Sequence, residues 1–412
     1  MRLLHTSDWH LGQYFYGKNR AEEHQAFLNW LLEQIDEHDV DALIVSGDLF
    51  DTGTPPSYAR QLYNSLITRM SPRRCQLILV GGNHDSVAML NESKGLLAEL
   101  GTHLVASASG DWQEQLISIP NKNGELAAIV MAVPYLRPRD LIHSSANLDG
   151  RQKQQQLQQA ISEHYQQLYQ QAQILRGERP IPIIATGHLT TVGASRSEAV
   201  RELYIGTLDA FPAHAFPTVD YLALGHIHRS QIVASQPHMR YSGSPIPLSF
   251  DELNRPKEVL LVEFEQQNMA QVQALPVPTF QAMAQLRGSL AEIEQQLQQF
   301  APNGDTTNSA PSTWLDIEVR SDEYIPDLQG RILTIAAELP VEVLLVRRQK
   351  KQNHNSLNTQ QHNETLAELT IDEVFARRLA IETWDEECGA QRQQRLQELF
   401  KQTAAQLQEQ SQ

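Results

Sequence analysis

Five short polar motifs, each standing directly behind a short apolar run, constrain this chain more than any other feature of its sequence. They are Asp8-Trp9-His10, Gly47-Asp48-Leu49-Phe50-Asp51, Gly82-Asn83-His84-Asp85, Gly187-His188 and Gly225-His226-Ile227-His228. The apolar runs at 2–5, 42–46, 77–80, 182–186 and 221–224, with a sixth at 128–133, are rich in Leu, Ile and Val. Their brevity, and the Gly, Pro and Asp that bound them, predict buried strands. Between the first two lies residues 22–38, with Phe27, Trp30, Leu31 and Ile35 at helical spacing. A second helix carries Tyr58, Leu62, Leu66 and Met70. Strand–helix–strand alternation predicts an α/β layer fold. The carboxyl ends of parallel strands share one edge of a sheet, so five dispersed segments are expected to meet there.

Taken singly, each motif has an ordinary explanation. Asp-x-His at a strand end is usually a turn or cap, Gly-Asn-His-Asp a turn, and Gly-His-x-His a satisfied histidine pair. The ordered set of five changes that balance. Asp8, His10, Asp48, Asn83, His188, His226 and His228 make a mixed oxygen and nitrogen donor set with no thiolate. Such a set suits Mn²⁺, Fe²⁺ or Zn²⁺ better than Mg²⁺ or Ca²⁺. Residues at i and i+2 on an extended segment point the same way, so Asp8 with His10, and His226 with His228, can reach one cluster. Seven donors exceed one ion's needs and fit two, with Asp48, alone at its Gly-Asp turn, as the shared carboxylate. Two ions about 3.5–4 Å apart clamp the attacking and leaving oxygens of an in-line phosphoryl displacement. A two-metal phosphoesterase is expected.

Composition narrows the setting. The chain of 412 residues carries a formal net charge of −16, which opposes unaided, tight binding of a polyanion. A partner that grips the nucleic acid is therefore expected. No apolar run approaches the roughly 20 residues of a membrane span, and Asp8 and His10 interrupt any signal-peptide core. Two distant cysteines, Cys75 and Cys388, read as inert thiols in a reducing, cytoplasmic setting. His5 reads as a strand residue. His24, His38, His103, His143, His164, His214, His238, His354 and His362 lie outside the motifs and read as mostly surface. Arg137 with Arg139, and Arg196 with Arg201, are candidate phosphate contacts, although a structural Arg with a carboxylate partner explains the first pair as well.

Along the chain, residues 151–176 read as a Gln-rich amphipathic helix and 258–264 as the last strand of a first domain, 1–276. Pro276 and Pro278 mark a boundary. A small β-α-β-α-β domain, 277–349, follows: strands at 281–287, 314–319 and 341–346, helices to Phe300 and over 324–339, and a capping box at Ser289 and Glu292. Residues 350–369 read as a polar linker and 370–412 as a helical pair, too small to bury a core alone and expected to dock on another chain.

Longer strings sharpen the picture. His5-Thr6-Ser7-Asp8-Trp9-His10-Leu11-Gly12, Gly81-Gly82-Asn83-His84-Asp85-Ser86, Gly187-His188-Leu189-Thr190-Thr191-Val192-Gly193-Ala194-Ser195 and Tyr241-Ser242-Gly243-Ser244-Pro245 resemble the double-strand-break-repair nucleases of the calcineurin-like metallophosphoesterase superfamily. The resemblance implies a four-layer core of mixed sheets flanked by helices, a capping domain that contacts DNA, and C-terminal helices that dock on a coiled-coil ATPase. It implies that Asp8, His10, Asp48 and His228 hold one ion, and Asp48, Asn83, His188 and His226 the other, both typically manganese. His84 would be catalytic. Asp51 stands where relatives carry a second His and resembles the Asp that orients the catalytic His in protein phosphatases, where it would raise the pKa of His84. The implied activities are double-strand exonuclease and single-strand or hairpin endonuclease, by direct hydrolysis, in a homodimer within a heterotetramer. A small-substrate phosphatase or phosphodiesterase, and a non-catalytic scaffold, are the alternatives; the filled ligand positions oppose the second.

Overall fold

The computed structural model describes residues 1–108, 111–121, 123–142, 149–192, 210–300, 312–320, 327–349 and 395–396. The chain divides into two units, Met1–Lys351 and Gln352–Gln412. Of the second, only residues 395 and 396 are described, and both are helical. The linker and helical pair expected at 350–412 otherwise lie outside the described residues, as do Arg196, Arg201, His143, His354, His362 and Cys388.

Two six-stranded mixed sheets make the centre of the first unit. One runs Asn268–Pro276, Glu258–Glu265, Arg2–Thr6, Ala42–Ser46, Gln76–Val80, Thr102–Val105, the last four parallel. The other runs Gln231–Val233, Gln236–Tyr241, Tyr221–Gly225, Ile183–His188, Leu126–Met131, Leu116–Pro120, parallel except at its two edges. Strand side chains alternate between faces, and the strands are apolar on both, as doubly covered sheets require. Leu3, Ala42, Ile44, Ile78 and Val80 of the first sheet meet Ala128, Val130, Ile184, Tyr221 and Ala223 of the second in one shared core. The opposite faces take the helices. Phe27, Leu28, Leu31, Leu32 and Ile35 of Ala21–Glu37, with Tyr63, Leu66 and Met70 of Ser57–Met70, cover Leu4, Leu43, Val45, Leu77 and Leu79. Leu157, Ile161, Tyr165, Leu168 and Ala172 of Gly150–Arg176 cover Ile129, Met131, Ile183, Ala185, Leu222 and Leu224. Burying each large apolar side chain contributes about 1.5–3 kcal/mol, far more than helix propensity does. The result is the four-layer α/β/β/α arrangement.

The five motifs therefore leave not one sheet edge but the adjoining edges of two. Asp8, Asp48 and Asn83 follow strands of the first sheet, whereas His188 and His226 follow strands of the second. Backbone contact closes the seam: Ser46 Oγ donates to Ala223 O at 3.0 Å. A Cβ at Gly225 would lie 1.9 Å from Ser46 O, so only glycine lets the two edges approach this closely.

A third sheet of three parallel strands, Met283–Gly288, Thr313–Arg320 and Val341–Gln349, carries helices Leu290–Leu297 and Leu328–Ala336. Its core is Leu286, Ile293, Leu297, Leu315, Ile317, Val319 and Ile332. The Ser289–Glu292 capping box forms in both directions. The strand at 258–264 is not the last before this sheet, because Asn268–Pro276 folds back on it as a hairpin.

Candidate metal centre

Asp48 sits at the middle of the seam, 1 % exposed. Its Oδ1 accepts the His84 backbone N–H at 2.9 Å, and its Oδ2 lies 3.1 Å from His188 Nε2 and 3.6 Å from His10 Nε2. His188 and His226 both approach Asn83 Oδ1, at 2.9 and 3.0 Å. Asp8, His10 and His228 form one group whose donor atoms lie within 4.8 Å of one another, and Asp48, His188 and His226 form another. All seven residues read as ligands thus converge around the Asp48 carboxylate.

Strained backbone aims them. Asp8 (φ 53°), His10 (46°), Asp48 (51°) and His226 (90°) occupy the left-handed region, which costs a non-glycine residue about 1–3 kcal/mol. Hydrogen bonds hold these turns: Asp8 N–H to Gly47 O and His10 N–H to Asp48 O within the first sheet's edge, and His226 N–H to Asp8 Oδ1 across the seam. Asp85 ties the loops behind the site. Its carboxylate accepts from the N–H groups of Leu49, Phe50 and Gly82 at 3.1, 2.9 and 2.8 Å. Arg137 joins it there, its Nη2 donating to Gly82 O and Asp85 O, while its buried Nη1 has no hydrogen-bond partner among the described residues.

The donor atoms fit divalent cations. His188 Nδ1 donates to Ser46 O at 2.8 Å, which leaves Nε2 as a lone-pair donor toward Asp48. His10 Nδ1 faces Asp51 Oδ1 at 3.0 Å, and its Nε2, buried, has no hydrogen-bond partner among the described residues. Asn83 Nδ2 is likewise buried and unpaired. Buried polar atoms without partners are costly; a cation would satisfy the lone pair of His10 Nε2, whereas the Asn83 Nδ2 donor calls for an acceptor. Without metal, protons stand in. Burial lowers the His188 pKa, but Asp48 and Asp8 override it and push it up to about 9. Burial raises the Asp48 carboxyl, yet His188, His10 and His84 hold it well below the usual carboxylate range. Burial and the neighbouring His188 keep His226 neutral.

Two expectations need correction. Asp51 was expected to present its carboxylate to His84 and strengthen it as an acid. Instead that carboxylate faces His10, and His84 Nδ1 meets the Asp51 backbone carbonyl at 2.7 Å. Burial, with His10, lowers the His84 pKa against the pull of Asp48 and Asp51. His10, Asp51 and His84 also form a third cluster of donors. His24, one of the histidines expected to be mostly on the surface, is fully buried on the inner face of the Ala21–Glu37 helix, where burial lowers its pKa to about 3. Cys75 is buried, its thiol pushed up to about 12 by burial, as expected of an inert thiol. No helix among the described residues is long and apolar enough to cross a membrane.

Residues outside the five motifs support the ligands. Ser7 donates to Asp8 Oδ2 and lies 2.9 Å from Ser242 Oγ. Tyr241 takes the Thr191 N–H at 2.9 Å and donates to Leu189 O at 2.7 Å, holding the loop after His188. Glu252 stands behind His228. Ser242 and Ser244 lie in a string that already carried the resemblance; Glu252 lies in no motif, and only proximity reveals it.

With this geometry in hand, the family assignment is direct. Residues 1–230 match the calcineurin-like phosphoesterases, and residues 279–383 match the type 5 capsule protein repressor C-terminal domain. The chain is 55 % identical over 400 residues to the SbcD subunit of the SbcCD nuclease of Escherichia coli K12, covering 97 % of each chain. The chain belongs to the SbcD family of calcineurin-like phosphoesterases. The SbcD subunit of Rhodobacter capsulatus is 32 % identical over 83 % of this chain and 86 % of its own. That of Bacillus subtilis is 28 % identical over 78 % and 79 %. The SbcD match thus extends through the third sheet and not only the two-sheet core.

Proposed function

We propose that the protein is the nuclease subunit of an SbcCD-type complex, a manganese-dependent enzyme that hydrolyses the phosphodiester backbone of DNA. One observation carries this: six dispersed donors gather around a single buried carboxylate, Asp48, with Asp8, His10 and His228 in one group and His188 and His226 in another with Asp48 itself. In this reading Asp8, His10, Asp48 and His228 hold one ion, and Asp48, Asn83, His188 and His226 hold the second. When bound, two divalent ions supply Lewis-acid charge to the phosphoryl oxygens and a nucleophile at neutral pH.

The chain's own groups do the rest. Asp48 would be the ligand shared by both ions. His84, its Nδ1 committed to the Asp51 carbonyl, keeps Nε2 for a phosphoryl oxygen or for a proton delivered to the leaving sugar oxygen. Asp51 orients His10 rather than acting on substrate. The proposed roles are double-strand exonuclease and single-strand and hairpin endonuclease, as the sequence resemblance implies; the relationship with SbcCD nuclease subunits supports nuclease action. That relationship favours DNA over a small phosphoester.

Residues 1–276 form the nuclease domain in this proposal, 277–349 a capping domain against DNA, 350–369 a linker, and 370–412 the docking element for an SbcC-type coiled-coil ATPase. Two copies of each subunit would assemble in the cytoplasm. The charge of −16 supports a division of labour in which the ATPase grips DNA. The test is a manganese-dependent assay on blunt and hairpin DNA, with a phosphomonoester alongside, for the wild type and His84→Gln. DNA cleavage lost in the variant is expected; turnover of the phosphomonoester alone would remove the proposal.

A further inference from the structure

Three polar groups behind His228 form a closed relay. His228 Nδ1 lies 3.3 Å from Glu252 Oε1. The other carboxylate oxygen, Oε2, accepts from Lys257 Nζ at 2.6 Å, the Leu248 N–H at 3.0 Å and Ser244 Oγ at 3.3 Å. Lys257 completes the ring by donating to Ser244 Oγ at 2.7 Å and to the His228 carbonyl at 3.0 Å. The Glu252 side chain is 4 % exposed and that of Lys257 11 %. A carboxylate taken out of water is costly unless it is paired and hydrogen-bonded, and here three donors converge on Oε2 while Oε1 faces the His228 imidazole.

We infer that Glu252, fixed by Lys257 and Ser244, is the positioning residue that sets the tautomer and orientation of His228 toward a divalent ion. A carboxylate acceptor at Nδ1 places the proton there and frees Nε2 as the donor; such partners commonly change metal affinity 10–100-fold. This rests on the two-metal reading of the site. The arrangement also distinguishes the two ligand sets. In the Asp8 set, both imidazoles have a carboxylate behind them, Asp51 at His10 and Glu252 at His228. In the Asn83 set, His188 has only the Ser46 carbonyl. The short segment 242–244 serves the first set twice: Ser242 reaches Asp8 through Ser7, and Ser244 reaches Glu252. Removing Glu252 should therefore weaken one ion and spare the other.

A cavity of about 360 Å³, lined by His228, Ser244, Glu252, Arg255 and Lys257 among others, opens beside the relay. The experiment titrates the full-length protein with Mn²⁺, reading free ion by electron paramagnetic resonance, for the wild type, Glu252→Ala, Glu252→Gln and the neighbouring Asp251→Asn. Two ions are expected in the wild type and in Asp251→Asn. In Glu252→Ala the dissociation constant of one ion should rise 10–100-fold, the other should hold, and added formate should recover part of the loss. Glu252→Gln, which keeps the shape and an acceptor but no charge, should fall between. If both Glu252 variants bind two ions as the wild type does while their metal-free melting temperatures drop, Glu252 is only structural and the inference is wrong. If Glu252→Ala fails to fold, Glu252→Gln alone decides on the same criterion. A wild type that binds no divalent ion overturns the two-metal reading itself, a separate result.

Discussion

Gly82→Ala tests the seam most sharply. A Cβ on residue 82 would lie 2.1 Å from Asp48 Oδ1 and 2.2 Å from the Asp48 backbone N. Ordinary contact begins at 3.4 Å, so the two loops must part by about 1 Å, and neither is free to do so. Gly82 N–H is bonded to Asp85 Oδ2 at 2.8 Å, and Asp48 Oδ1 takes the His84 N–H at 2.9 Å. The obstructing atoms are backbone and a buried carboxylate, not a flexible tip, so an overpacking cost of about 1–3 kcal/mol is expected. The functional effect is larger than the stability effect. Displacement of reacting groups by about 1 Å can cost about 100-fold in rate, and Asp48 lies within reach of both ligand sets. Manganese-dependent DNA cleavage, bound metal and thermal unfolding should be measured together on Gly82→Ala and Gly95→Ala. Gly95 lies in the helix Lys94–Glu99 with open space at its Cβ. Alanine there should preserve activity and add up to about 1 kcal/mol of stability. Gly82→Ala with wild-type metal content and rate would refute the close-approach reasoning.

Three further predictions follow from the same geometry. His84→Gln should retain both ions, because His84 meets Asp48 through its backbone N–H, yet lose about 10²–10⁴-fold in turnover; a metal titration beside the rate assay separates the two. Asp85→Asn replaces a carboxylate that accepts three backbone N–H groups, so a loss of about 3 kcal/mol is expected in denaturant unfolding, and an unchanged midpoint would contradict it. The raised His188 pKa has a definite sign. Its stabilising contribution to the metal-free protein is complete below the ordinary pKa of 6.5 and is lost as pH rises through about 9. Metal-free stability from this group should therefore decline over pH 6.5–9, and metal uptake in that window should release a proton. Calorimetry in buffers of different ionisation enthalpy reads that proton; uptake heats independent of buffer would count against it.

Much of this was legible in the sequence, for identifiable reasons. The strands that carry the motifs are apolar on both faces, so they stand out as runs; the one expected at 42–46 is observed as Ala42–Ser46. The helices at 22–38 and 151–176 expose one clean apolar stripe and appear as Ala21–Glu37 and Gly150–Arg176. The strands Leu116–Pro120, Gln231–Val233 and Asn268–Pro276 were missed because they lie at sheet edges with one face in water, so no apolar run marks them. The division into two sheets was not readable from the motifs, because nothing local distinguishes a strand of one sheet from a strand of the other. In the third sheet the helix expected over 324–339 is observed as Leu328–Ala336, begun by Asp327, whose side chain accepts the Gly330 N–H. At the site, donor types and spacing identified the ligands. What stands behind a ligand was not readable: Asp51 turned to His10 rather than His84, and Glu252, in sequence far from every motif, met His228 only through folding.

The central claim is tested most directly by anomalous diffraction at the manganese absorption edge from crystals grown with Mn²⁺. Two peaks about 3.5–4 Å apart are expected, both coordinated by Asp48, one also by Asp8, His10 and His228 and the other by Asn83, His188 and His226. A single ion, or one held instead by His10, Asp51 and His84, would contradict the account.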